Sequence, residues 1–240
     1  MNRFKVEVIS KTPNPQQTIY AGMHQDYAEG FVWDEREQWP DEAKAGELVI
    51  RNLLKGGRGH FGPLEHPQIV LNCGFFPHST MQQIRTHRVG LSFDVQSFRY
   101  TGSRIVAVAE GRTDVEDVFY LRPVGSYSDR QGKKYDYTEE LRQQDLAWCR
   151  KGCDHYRTRI EQGFSEEHAR GLIPFDVRQH WVLSANARSL MHLLDLRWKA
   201  DAQLEAQKLC EAIWPHFQAW VPAIAGWYET NRLKKARLSP

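Results

Sequence analysis

The segment FKVEVIS sets Phe4, Val6 and Val8 at alternate positions, a period of two that predicts a strand near the N-terminus. Pro40-Asp41 opens a helix that runs to about Lys55, where Gly56-Gly57 supplies the stop. His60 to Pro67 is turn-rich, and the apolar run QIVLNCGFF after it predicts a strand buried on both faces. Ser79 with Gln82 three residues on forms a capping box for a helix carrying Met81, Ile84 and Arg88. SFDVQSFRYTG is an extended or loop segment, and IVAVAEG and DVFYLRPVG predict two further strands. Gly125 to Tyr137 has no period and is either a mobile surface loop or a long hairpin connection. From Thr138 the period becomes helical, with Leu146, Cys149, Cys153, Tyr156 and Ile160 on one face and Gly163 at the end. Ser165 caps a short helix ending before Pro174. VRQHWVLSAN is a strand leading into a helix at ARSLMHLL, and DAQLEAQKLCEAIW is a long amphipathic helix. Strands precede helices, with mixed pieces at both junctions. The expected fold is α+β, one domain over residues 1–240, with a mixed or antiparallel sheet flanked by helices.

Composition narrows the class. In 240 residues, 41% are hydrophobic and 26% charged, values of a folded globular chain long enough to bury its own core. No apolar run approaches the roughly 20 residues of a membrane helix, and no signal peptide is visible at the N-terminus. Four cysteines, Cys73, Cys149, Cys153 and Cys210, read as reduced thiols, so a cytoplasmic location is expected. Lys and Arg number 32 against 30 Asp and Glu. That balance gives no global push toward nucleic acid but leaves room for a local basic site.

Neither GxxxxGK[ST] nor GxGxxG occurs, which weakens any reading built on a Walker or Rossmann site. Cys149 and Cys153 sit on an apolar stripe as core residues. Arg85, His87, Arg88, Ser97, Arg99 and Arg104 cluster with only Asp94 as a local acid. They form either a solvated basic face or a site for an anion that guanidinium groups grip in bidentate fashion. Phe93, Phe98 and Tyr100 are either core contacts or a stacking surface. A second set lies at Asn186, an N-cap candidate, with Arg188 and His192 projecting from one helix face. Asp195 and Asp201 are close enough in sequence to pair with Arg197. His60 and His66 lack a third ligand at a known spacing, so no metal is expected. Two such basic clusters in a nearly neutral chain point to a polyanionic small molecule. Two other classes compete: a single-stranded RNA-binding module across residues 85–104, and a metal hydrolase using His60, His66 and His87.

Four separated motifs resemble those of the flavin-dependent thymidylate synthases. They are His60-Phe61-Gly62-Pro63-Leu64-Glu65-His66, then Thr86-His87-Arg88 with Ser97-Phe98-Arg99-Tyr100, then Ala169 to Pro174, then Asn186 to Leu190 with Leu196-Arg197. The chain departs from the family pattern at Thr86, where the first arginine of a triplet stands, and its spacer to Ser97 holds eight residues rather than seven. Arg85 is placed to substitute for the missing guanidinium. His192 replaces a common Asn.

The resemblance implies a thymidylate synthase fold, FAD as cofactor, and conversion of dUMP to dTMP. Methylenetetrahydrofolate would supply the carbon and NADPH the hydride. It implies dUMP binding by Gln83, Arg85, Thr86, Ser97, Phe98, Arg99, Arg170 and Arg197, with Arg197 catalytic through polarisation of the uracil. It places FAD on His60, Gly62, Thr86, His87, Arg88, Asn186, Ala187, Arg188 and His192. It also implies a homotetramer with sites drawn from several subunits, with no nucleic-acid or membrane partner.

Overall fold

In the computed structural model, which describes residues 3–57, 60–129 and 131–235, the first strand is β1 (Lys5–Lys11), with Val6 buried. Helix α1 (Pro15–Gln25) follows, with no side-chain cap of its own and no counterpart in the sequence reading. Its first N–H groups are satisfied from afar: the Glu42 carboxylate accepts from the Gln16 and Gln17 amides at 2.8 and 2.9 Å. Asp41 caps α2 (Glu42–Val49), and the chain continues through a π-turn over Ile50–Leu54, so the predicted helix to Lys55 is present but broken. A short turn of helix at Gly62–Glu65 fills the turn-rich tract.

Strand β2 (Gln68–Pro77) alternates buried and exposed positions as far as Asn72 and becomes fully enclosed only toward its end. The expectation of burial on both faces therefore fails for its first half. Helix α3 (His78–Ile84) starts two residues earlier than a Ser79 cap allows, and the Ser79 amide donates to Asp176 instead. It stops before Arg88, which lies in the turn leading to β3 (Leu91–Val95).

IVAVAEG is not a strand. It forms α4 (Ser103–Ala109), whose Ile105 and Val108 are buried one helical turn apart on a face that packs against a later helix. Tertiary packing overrides the β-branched composition. DVFYLRPVG likewise yields α5 (Val115–Val118) and then a single bridge between Phe119 and Val177. The polar stretch is more than a connection: β4 (Gly125–Ser128) pairs antiparallel with β5 (Lys134–Tyr137), so it forms the hairpin's own strands. Thr138 caps the long α6 (Glu139–Glu161), and Gly163, at φ +82°, ends it. Ser165 caps α7 (Glu166–Ala169). Then come β6 (Arg178–Asn186), α8 (Ala187–Arg197), α9 (Leu204–Trp220) and α10 (Pro222–Asn231).

These elements gather into two compact units. One takes the described parts of Met1–Cys73, Gln83–Asp94 and Trp181–Pro240; the other takes Gly74–Gln82 and Val95–His180. The four-stranded sheet has the order β1-β2-β6-β3, so strands far apart in sequence are neighbours. In the first unit α1 packs on α2, α9 on β1 and α8, and α10 on α2 and α9. Gln16 is fully buried there, and its side-chain oxygen accepts from the Ala223 amide at 2.8 Å, capping α10. The second unit is built on α6: Leu146, Cys149, Cys153 and Tyr156 pack with Ile105, Val108, Val118 and Phe119. Burial pushes the Cys149 and Cys153 thiols up to about 11 and about 12, as for inert core residues. No helix among the described residues is long and apolar enough to cross a membrane.

Candidate active site

In the first unit the N-terminus of α8 organises the chemistry. Asn186 is buried, and its side-chain oxygen accepts from the Ser189 amide at 2.7 Å, so it is the N-cap of the helix. The turn that follows Arg88 lies directly on this cap. Gly90 has φ +66°, and a Cβ there would come within 2.1 Å of Ser189 Oγ and 2.4 Å of Asn186 Nδ2. Only glycine permits that approach, and it brings the Thr86-His87-Arg88 stretch beside the Asn186-Ala187-Arg188 stretch.

Arg188, the second residue of α8, donates to Glu65 Oε1 at 2.5 Å, and its guanidinium lies 5.7 Å from the centre of the Phe61 ring. The His60–His66 turn is thereby tied to the same helix. His60 itself is exposed and bonds to Asp26 at 2.8 Å, while Gly62 is open on its Cα face. One helical turn on from Arg188, His192 has a buried Nδ1 with no partner among the described residues.

Arg197 closes the helix. Its Nε donates to His87 Nε2 at 2.9 Å, and the His87 ring meets His192 edge-on at 5.7 Å. Burial first, then the charge of Arg197 and the neighbouring His192, lower the His87 pKa to about 4, so the ring is neutral. The expected pairing of Arg197 with Asp195 or Asp201 does not occur. Asp195 is turned inward to Tyr228 at 3.0 Å and Arg232 at 2.5 Å, and Asp201 pairs with Lys199 at 3.4 Å. Geometry on the helix explains it: two residues apart, 195 and 197 face different ways. Burial raises the Asp195 pKa, opposed by Arg232 and Tyr228.

Gln83 has a buried side-chain oxygen without a described partner, Thr86 gives its hydroxyl to the Gln83 carbonyl at 2.7 Å, and Arg85 and Arg88 are exposed. Arg85, Thr86 and Arg88 thus sit at the open end of α3 with two guanidiniums directed by no described carboxylate.

The second unit holds the other basic residues. The Ser97 hydroxyl accepts from the Arg99 amide at 3.4 Å and the Ser97 carbonyl from the Tyr100 amide at 3.1 Å, making a tight turn. Arg99 pairs with Glu167 on α7 at 2.9 Å, which draws it toward Arg170 at the end of the same short helix. Arg170 and Phe98 line one open pocket of about 390 Å³, with His78, Ile173 and Phe175. Arg104 stacks over Phe98 at 5.1 Å, with Nε and Nη2 buried and unpartnered among the described residues. Burial lowers its pKa to about 10, which leaves it charged at neutral pH. Arg104 appeared in the sequence only as one more member of a basic cluster; its stacking on Phe98 was not legible. Nor were Glu65 and Asp195, which have no chemistry until their partners are known.

Comparison with known proteins finds relatives along nearly the whole chain. A family model described as Thy1, thymidylate synthase complementing protein, matches residues 7–223. A flavin-dependent thymidylate synthase of Halobacterium salinarum is 31% identical over 98% of this chain and 100% of its own length. That of Haloarcula marismortui is 30% identical over 98% and 99%. Among solved structures, the UMP/dUMP methylase PolB from Streptomyces cacaoi, bound with 5-Br dUMP, superposes with TM-score 0.73 at 21% identity, covering 99% of this chain and 97% of that one. Thymidylate Synthase X from Helicobacter pylori, with FAD and dUMP, gives TM-score 0.64 at 20% identity over 91% and 96%. At these identities the two structures establish a shared fold.

Proposed function

We propose that this chain, which belongs to the family of thymidylate synthase complementing proteins, converts dUMP to dTMP as an FAD-dependent thymidylate synthase. Methylenetetrahydrofolate would be the carbon donor and NADPH the reductant. The observation that carries the reading is the meeting of two sequence-distant basic stretches, with the His60–His66 turn, at α8. His87, Arg88, Arg188, His192 and Arg197 crowd one locality, and no described carboxylate lies on Arg197. The Arg197 guanidinium, held by a neutral ring rather than a carboxylate, is left to meet an anionic ligand.

The residues fit the flavin dinucleotide. Thr86, His87 and Arg88 lie beside Asn186, Ala187 and Arg188 at the start of α8, and further along the helix the buried His192 Nδ1 has no partner among the described residues, one that a ligand would supply. His60 and Gly62 stand on the turn tied to Arg188. Bound FAD would supply the hydride chemistry that no side chain here can perform. The protein's part is orientation and charge. Ser97, Phe98, Arg99 and Arg170 hold the dUMP phosphate, Gln83, Arg85 and Thr86 contact the nucleotide, and Arg197 stabilises negative charge developing on the uracil. Since Arg99 is engaged by Glu167, phosphate would displace an exposed carboxylate of modest worth. The cysteines take no nucleophilic role, because all four are buried and burial raises their thiols. The working form is a cytoplasmic homotetramer whose sites draw residues from several subunits.

No observation favours the other classes. Phe98 is covered by Arg104 rather than offered to a base, and His60, His66 and His87 face different partners: Asp26, Gly22 and Arg197. The test is direct. Purified protein given FAD should show flavin absorbance and form dTMP from dUMP with the two co-substrates. Absence of both would overturn the proposal.

A further inference from the structure

We infer that His87 is a positioning residue for Arg197, a role beside the flavin contact proposed above. This deepens the functional reading above and rests on it. An arginine N–H can only donate, so the 2.9 Å bond from Arg197 Nε requires His87 Nε2 to be the bare acceptor nitrogen of a neutral imidazole. The ring has one acceptor, and it is taken.

The surroundings keep it so. Protonating His87 would set a second positive charge against Arg197 and a third basic group, His192, at 5.7 Å. The carboxylate that could relieve this, Asp195, is held away by Tyr228 and Arg232. Burial and those neighbours hold the ring neutral at physiological pH. With Nε fixed, the guanidinium plane of Arg197 is set, and its two terminal amino groups remain to act together on a planar acceptor such as a uracil carbonyl with its adjacent ring nitrogen. A half-buried arginine whose counter-charge is elsewhere needs such a hold, because lost rotamer freedom would otherwise be charged to ligand binding. The α8 cap and Gly90 turn explain how a residue 110 positions away reaches it.

The two roles separate experimentally. His87→Ala, His87→Gln, His87→Phe and Arg197→Ala, with the His87→Ala/Arg197→Ala double variant, would be measured for bound FAD by absorbance and for dUMP affinity by calorimetry. Gln keeps an acceptor, and Phe keeps the ring volume without one. FAD content is expected to be normal in Arg197→Ala, and the inference is read from dUMP affinity. dUMP affinity should fall about 10- to 100-fold in His87→Ala and His87→Phe, the scale of one hydrogen bond to a charged group. Recovery to within a few-fold is expected in His87→Gln, with the double variant no weaker than Arg197→Ala. Loss of FAD with dUMP affinity intact would overturn the inference, and so would additive losses in the double variant. Should His87→Ala fail to fold, His87→Phe gives the same comparison. Wild-type protein that binds FAD but takes no dUMP would instead sink the functional reading, and this inference with it.

Discussion

Single residues here acquire their chemistry from what stands next to them. His87 is an ordinary imidazole in sequence, but its folded pKa is about 4 against 6.5 in the open chain. Between those values the unfolded chain binds more protons than the native one, so stability rises with pH across that window and is fully present above it. Thermal unfolding from pH 4 to pH 8 should show the midpoint climbing to about pH 6.5, with a shallower climb in His87→Gln. An identical profile in that variant would mean the ring titrates normally. Burial also lowers the pKa of Arg197, whose described companion is that neutral ring.

At the scale of elements, α8 and the Gly90 turn form one device. Gly90→Ala would force a side chain into the left-handed region and into contact with Ser189 and Asn186. The expected cost is at least about 1–3 kcal/mol, together with a loss of bound FAD as the triplet withdraws from the helix cap. Denaturant titration and flavin absorbance check this, and an unchanged midpoint with full flavin would contradict the geometry. The cap itself was legible, because Asn186 answers an amide three residues away, as was Ser165. What could not be read was any element whose reason is distant. Ile105 and Val108 sit in a run that scores as a strand and turns helical only because α6 offers a face for it. Helix α1 lacks a local cap and relies on Glu42, 26 residues on.

For the whole molecule, the motifs announced the candidate site because each basic residue sits in a short recognisable stretch. Their connections did not announce themselves: Arg188 meets Glu65 across 123 positions and Arg197 meets His87 across 110. Association is the remaining consequence. Val89 and Tyr100, beside two of the motifs, are 86% and 80% exposed, and Phe175 is 64% exposed. Large exposed apolar side chains next to functional loops suit contact with other copies. Light scattering should give the mass of four chains, and a monomer with full turnover would exclude shared sites.

The inward turn of Asp195 makes the last described helix a guardian of the site. Arg232 and Tyr228 are the neutralising partners of a carboxylate buried between His192 and Arg197 on the same rod. Cut short ahead of Tyr228, the polypeptide would strand that charge in an apolar interior, where it must either take up a proton or twist α8 toward water. Either escape would disturb the arginine proposed above to meet the pyrimidine. A product ended there would therefore lose its proposed chemistry through an injury far from it in sequence.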